Sequence, residues 1–130
     1  MSAAAEKVTR LPGPDHPITI THAKDRVVVT LAGEAIADSR EALFLTEAAY
    51  PGVYYIPRKD VNMALLQRTG HGTYCPYKGD ASYYSIHIGR KTADNAVWSY
   101  EMPYAAVEEI KDCLAFYPDR VDSIEILPDR

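Results

Sequence analysis

The sequence predicts a mainly β domain: a β-rich α+β fold of mostly antiparallel strands, in two packed sheets or a partly open barrel, with two short helices. Three observations predict it. Short stretches alternate apolar and polar residues with period two, as at Ile18-Thr19-Ile20-Thr21-His22. Most connections are of hairpin length and carry turn residues, as at Pro51-Gly52. The strand-helix alternation of a doubly wound sheet is missing.

Composition narrows the class further. A chain of 130 residues suits one domain with a real core. The formal charge of −4 gives no basic footprint, so nucleic acid is not an expected partner. No apolar run reaches the roughly 18 residues that a membrane span needs, and residues 1–10 lack the apolar core of a secretory signal. The expected setting is cytoplasmic, with Cys75 and Cys113 as reduced thiols. Ten tyrosines stand against two phenylalanines and one tryptophan, and six of the ten fall between Tyr74 and Tyr104. Tyrosine couples an apolar body to a polar tip, so that crowding draws attention to this region.

Taken in order, residues 1–16 are small, charged or turn-forming and read as a mobile leader; the domain spans residues 17–130. Residues 18–22 and 27–31 read as a hairpin across the polar turn 23–26. Residues 34–37, 43–47 and 53–56 follow as short strands. Asp60 is placed to cap a helix over residues 61–68, which Gly70 closes. Residues 81–88 form the best strand, with Tyr84, Ile86 and Ile88 on one face. Residues 95–101 return as its partner, presenting Ala96, Trp98 and Tyr100. Pro103 suits the start of a second helix, in which Val107, Ile110 and Leu114 share a face. A short strand near Phe116 and a last one over residues 121–127 complete the chain.

The candidate site is the stretch Thr73-Tyr74-Cys75-Pro76-Tyr77-Lys78-Gly79-Asp80-Ala81. A thiolate is the reactive form of cysteine and a nearby cation favours it, so Cys75 and Lys78 are the catalytic candidates. The plainer reading makes Cys75 a small buried hydrophobe and Lys78 a solvated charge. As a binding loop, Lys78 would orient an anion or a carbonyl, with Tyr77 and Tyr100 as walls and Tyr74 and Tyr55 beside them. Glu47 is in phase with Leu43 and Leu45, so its carboxylate starts near the core rim and needs a cation, Lys78 or Arg58. Tyr84 and Trp98 read as core. His71, Cys75, His87 and Cys113 lack paired zinc-ligand spacing, so no metal and no cofactor is expected. Phosphate-binding glycine motifs and the G-x-S-x-G elbow are absent.

These residues also carry a resemblance. Ala37-Asp38-Ser39, Glu47, Tyr55-Ile56-Pro57, Cys75-Pro76-Tyr77-Lys78-Gly79 with Ala81 and Tyr83-Tyr84, and Ala96-Val97-Trp98-Ser99-Tyr100 occur in this order. With Pro103 and Phe116-Tyr117, the set resembles the bacterial and fungal family called domain of unknown function 427, over about residues 17–127. The resemblance implies a compact, β-rich single domain and supplies no mechanism; similar proteins sometimes carry a nucleotidyltransferase-like label. The functional expectation is a pocket for an unidentified small molecule around residues 74–79. The alternatives are a non-enzymatic interaction module, with homodimerisation open, and an enzyme using Cys75 or Lys78, including a nucleotidyltransferase-like one.

Overall fold

A computed structural model describes residues 7–128, so the first six residues of the expected leader lie outside the described residues. The fold is mainly β. Ten strands form three antiparallel sheets. The first sheet joins β1 (Ile18–His22), β4 (Leu43–Glu47) and β5 (Val53–Tyr55) in the order β1-β4-β5. The second joins β2 (Arg26–Leu31), β3 (Glu34–Ser39) and β10 (Ser123–Leu127) in the order β10-β2-β3. The third runs β6-β7-β8-β9, from β6 (Leu66–Cys75), β7 (Gly79–Ile88), β8 (Lys91–Ser99) and β9 (Ala115–Phe116). An isolated bridge between Ile56 and Leu114 stitches the first sheet to the third. Among the described residues no helix is long and apolar enough to cross a membrane.

Three local expectations are corrected. Residues 18–22 and 27–31 do not form a hairpin: β1 pairs with β4, and β2 pairs with β3 and β10. The physical reason is that the two strands feed different cores. Val27, Val29 and Leu31 bury in one hydrophobic cluster, while Ile18 and Ile20 pack on another. No α-helix forms over residues 61–68. Short 3-10 turns at Arg58–Asp60 and Met63–Leu65 lead straight into β6. Asp60 lies in the first turn and accepts from Ser39 Oγ at 2.7 Å, so it tethers β3 and caps no helix. Most of β6 is exposed at the sheet edge, which leaves no alternation for a reader to find. The second expected helix is also of 3-10 type, over Ala105–Ile110, and buries Val107 and Ile110.

Strand β7 organises the interior. Ala81 and Tyr83 face the second cluster, with Leu43, Leu45, Tyr55 and Tyr100. Tyr84 and Ile86 face the first, with Val27, Val29, Ile56 and Val97. A strand buried on both faces serves two cores at once, and each large apolar side chain so buried contributes about 1.5–3 kcal/mol.

Candidate functional site

The tip of the β6–β7 hairpin builds the site. Cys75 pairs with Gly79, and Pro76-Tyr77-Lys78 form the turn, closed by Lys78 N–H donating to the Cys75 carbonyl at 3.2 Å. Gly79 has φ +108°, a conformation that a side chain strains against. Its neighbour is pinned as well, since the Lys78 carbonyl accepts from Tyr104 N–H at 3.0 Å. The turn so held sends the Lys78 side chain inward. Lys78 is only 8% exposed, and it is the one charged residue in the interior among the described residues.

Lys78 Nζ donates to Glu47 Oε1 at the end of β4. The other oxygen, Oε2, bonds His16 Nε2 at 2.7 Å. The His16 ring in turn stacks flat on Tyr77, with centroids 3.8 Å apart and planes 3° from parallel. Burial alone would raise the Glu47 carboxyl; the bonds to Lys78 and His16 outweigh it and hold the group below its ordinary value. Nζ also stands 5.8 Å from the centroid of the Tyr100 ring.

Two adjoining cavities share Glu47, Tyr50, Lys78 and Tyr100. The inner one, about 210 Å³, is walled further by Tyr55, Tyr83, Trp98 and Tyr117. The outer one, about 400 Å³, runs past His16, Tyr74, Cys75 and Tyr77. Tyr100 lines both, is 6% exposed, and its hydroxyl makes no hydrogen bond to a described residue. Burial pushes the Tyr100 and Tyr55 hydroxyls well above the usual phenol range, so both stay protonated donors at neutral pH. Burial and the Tyr83 hydroxyl push Tyr117 up to about 12.

The candidate residues are therefore distributed around one feature. Lys78 and Glu47 are in contact, while Arg58, the other cation considered for Glu47, binds Glu101 instead. Tyr55 is core and accepts from Trp98 Nε1 at 3.2 Å. Tyr74 bonds the Tyr104 hydroxyl at 2.6 Å and the Val8 carbonyl at 2.8 Å. Cys75 is half-buried in the outer wall, and Cys113 is buried, which pushes its thiol up. No group of three or more His, Cys, Asp or Glu is placed to hold a metal among the described residues.

Reading by residue type missed His16, Tyr50, Tyr83 and Tyr117 as wall residues, and for Trp98 it weighed a pocket wall and preferred the core. His16 arrives on the segment before β1, whose Arg10 N–H donates to the Pro76 carbonyl at 2.9 Å and whose Lys7 pairs with Asp80 at 2.6 Å. A histidine at the end of a proline- and glycine-rich run was the only sequence signal for it.

With that geometry in view, one comparison decides the family: the family model for the domain of unknown function 427 matches residues 19–126. The chain belongs to the domain of unknown function 427 family. The span matched in this family includes Glu47, Tyr55, the Cys75–Gly79 turn and Tyr100, and it begins three residues after His16. No curated protein matches the chain.

Proposed function

We propose that this protein binds a small ligand in the paired cavities around Lys78, through a carbonyl or another acceptor-rich group. The observation that carries the reading is a buried cation with donors to spare. An ammonium has three N–H donors. Among the described residues Lys78 Nζ donates only to Glu47. The Tyr100 ring stands 5.8 Å from Nζ, lines the same cavity, and its hydroxyl bonds no described residue. Among the described residues no fully buried side-chain N or O lacks a partner, so a Tyr100 hydroxyl without one is reached from the cavity side.

The charge balance refines the ligand class. Lys78 and Glu47 cancel, so with His16 neutral the cluster favours a neutral carbonyl over a free anion. With His16 protonated the cluster carries one positive charge and admits a carboxylate. Six aromatic rings around the inner cavity favour a planar or apolar body behind the polar group. Two free cysteines fit a reducing, cytoplasmic setting.

A thermal-shift screen of small metabolites tests this on the native protein, Lys78→Met and Tyr100→Phe. A true ligand at about 100 times its Kd stabilises the native protein by ~2.7 kcal/mol. The shift should vanish in Lys78→Met and weaken in Tyr100→Phe. Ligands that stabilise Lys78→Met as well as the native protein would overturn the reading.

A further inference from the structure

We infer that Lys78 forms a reversible imine with a small aldehyde or ketone seated in the inner cavity. This rests on the ligand reading above and adds a covalent bond to it. A buried lysine amine on a cavity wall is the usual nucleophile for carbonyl chemistry. Here the parts that such chemistry needs surround it. Lys78 lines both cavities, so a ligand seated there adjoins its side chain. The Tyr100 hydroxyl, unspent and protonated, is available to donate to the carbonyl oxygen and polarise the C=O bond. Glu47 is bonded to Nζ directly and to His16 through its other oxygen, so a proton leaving nitrogen has a carrier and an exit.

The step balances without any co-reactant. The ammonium and the carbonyl compound become a protonated imine and one water. C=O breaks and C=N forms; nitrogen gives up two hydrogens, and the oxygen leaves with them. Glu47 takes the two protons from nitrogen one after the other and passes each to the departing oxygen; the first transfer frees the lone pair that attacks the carbonyl. Nitrogen carries one positive charge before and after, so the Lys78–Glu47 attraction survives the reaction. Glu47, held ionised, remains a counter-ion to the protonated product.

The rival is a purely structural ion pair, and it makes the opposite forecast. The native protein is treated at neutral pH with formaldehyde, glyoxylate or benzaldehyde, each with cyanoborohydride, which reduces an imine to a stable secondary amine. Peptide mass spectrometry then gives the rate at each lysine. A buried, locked amine reacts more slowly than the exposed Lys59, Lys91 and Lys111. Imine chemistry predicts that Lys78 is labelled at least about tenfold faster than these three by one of the probes, a rate factor worth ~1.4 kcal/mol. Tyr100→Phe and Glu47→Gln should each slow labelling at Lys78 and leave the surface lysines unchanged, with native circular dichroism as the check on folding. Lys78 labelling no faster than the surface lysines with all three probes overturns the inference, as does faster labelling of Lys78 in Glu47→Gln. Lys78-dependent ligands in the thermal-shift screen alongside slow labelling would sink the imine alone. A screen with no Lys78-dependent ligand would sink the binding reading.

Discussion

Two of the carboxylate–cation clusters among the described residues, those at Glu101 and Glu47, differ in one respect. Glu101 is held below its ordinary value, as Glu47 is: burial opposes this, and bonds from Tyr84 and Ser82 outweigh it. Its two oxygens are fully used: Oε1 meets Ser82 Oγ at 3.0 Å and Arg68 at 3.1 Å, and Oε2 accepts from the Tyr84 hydroxyl at 2.7 Å. Arg58 spreads its donors over the Asp112 carbonyl, Tyr84, Ser99 and Glu101. None of these residues lines either cavity at Lys78. The Glu101 cluster is closed on itself and ties β7, β8 and the Arg58–Asp60 turn together. The Lys78 cluster is left open on the side that faces two cavities. The Glu101 cluster is saturated, and the Lys78 cluster keeps surplus donors.

The contrast can be broken by substitution. Lys78→Met strands a buried carboxylate, which costs about 3–5 kcal/mol; urea denaturation should show most of that returned in the double variant Lys78→Met/Glu47→Leu. A single and a double variant of equal stability would remove Lys78–Glu47 from the buried-pair class. Tyr84→Phe takes a hydroxyl from an ionised Glu101 and should cost ~1.5–3 kcal/mol by the same measurement. The pH dependence has a definite sign. A depressed carboxyl stabilises the fold fully above the unfolded pKa of about 4.3 and loses that stabilisation as pH falls through the lower folded value. The stability gap between the native protein and Glu47→Gln should therefore be widest above pH ~4.3 and narrow below it; a gap constant across the acid limb contradicts the pairing. Gly79→Ala forces a side chain into φ +108° and should cost about 1 kcal/mol, seen as a lower melting temperature. Tyr100→Phe loses no protein hydrogen bond and should shift stability by no more than ~0.5 kcal/mol. The Tyr84 and Tyr100 values together sharpen the comparison: similar costs would mean that Tyr100 has a protein partner after all.

The sequence carried the fold class because β4, β5, β7 and β8 announce themselves by alternation or by turn residues. It hid β6, where Thr69-Gly70-His71-Gly72 lie on a wet edge and nothing enforces a period. It also misjudged the partner of β1, since pairing depends on which core a strand feeds, and that is a property of the whole chain. The turn at Lys78 was legible from residue types, and so was the acid at Glu47. Their contact was legible only as one of two alternatives, because Lys78 and Arg58 were both available to Glu47 and 31 residues separate Lys78 from it. His16 was hidden for a further reason: its role depends on a stacking partner and a carboxylate from two other elements.

The segment from Lys7 to His16 has a practical consequence. It holds to the hairpin tip by an ion pair, one backbone bond, the Tyr74 hydroxyl donating to the Val8 carbonyl and one stacked ring, while Leu11 is 82% exposed and Val8 55%. A protein trimmed at its start to the family match at residue 19 would keep all ten strands except the first residue of β1. It would nonetheless lack His16, bare one face of Tyr77 and free one oxygen of Glu47. Homology boundaries and chemical boundaries diverge here, and any screen run on a shortened protein would interrogate a different cavity.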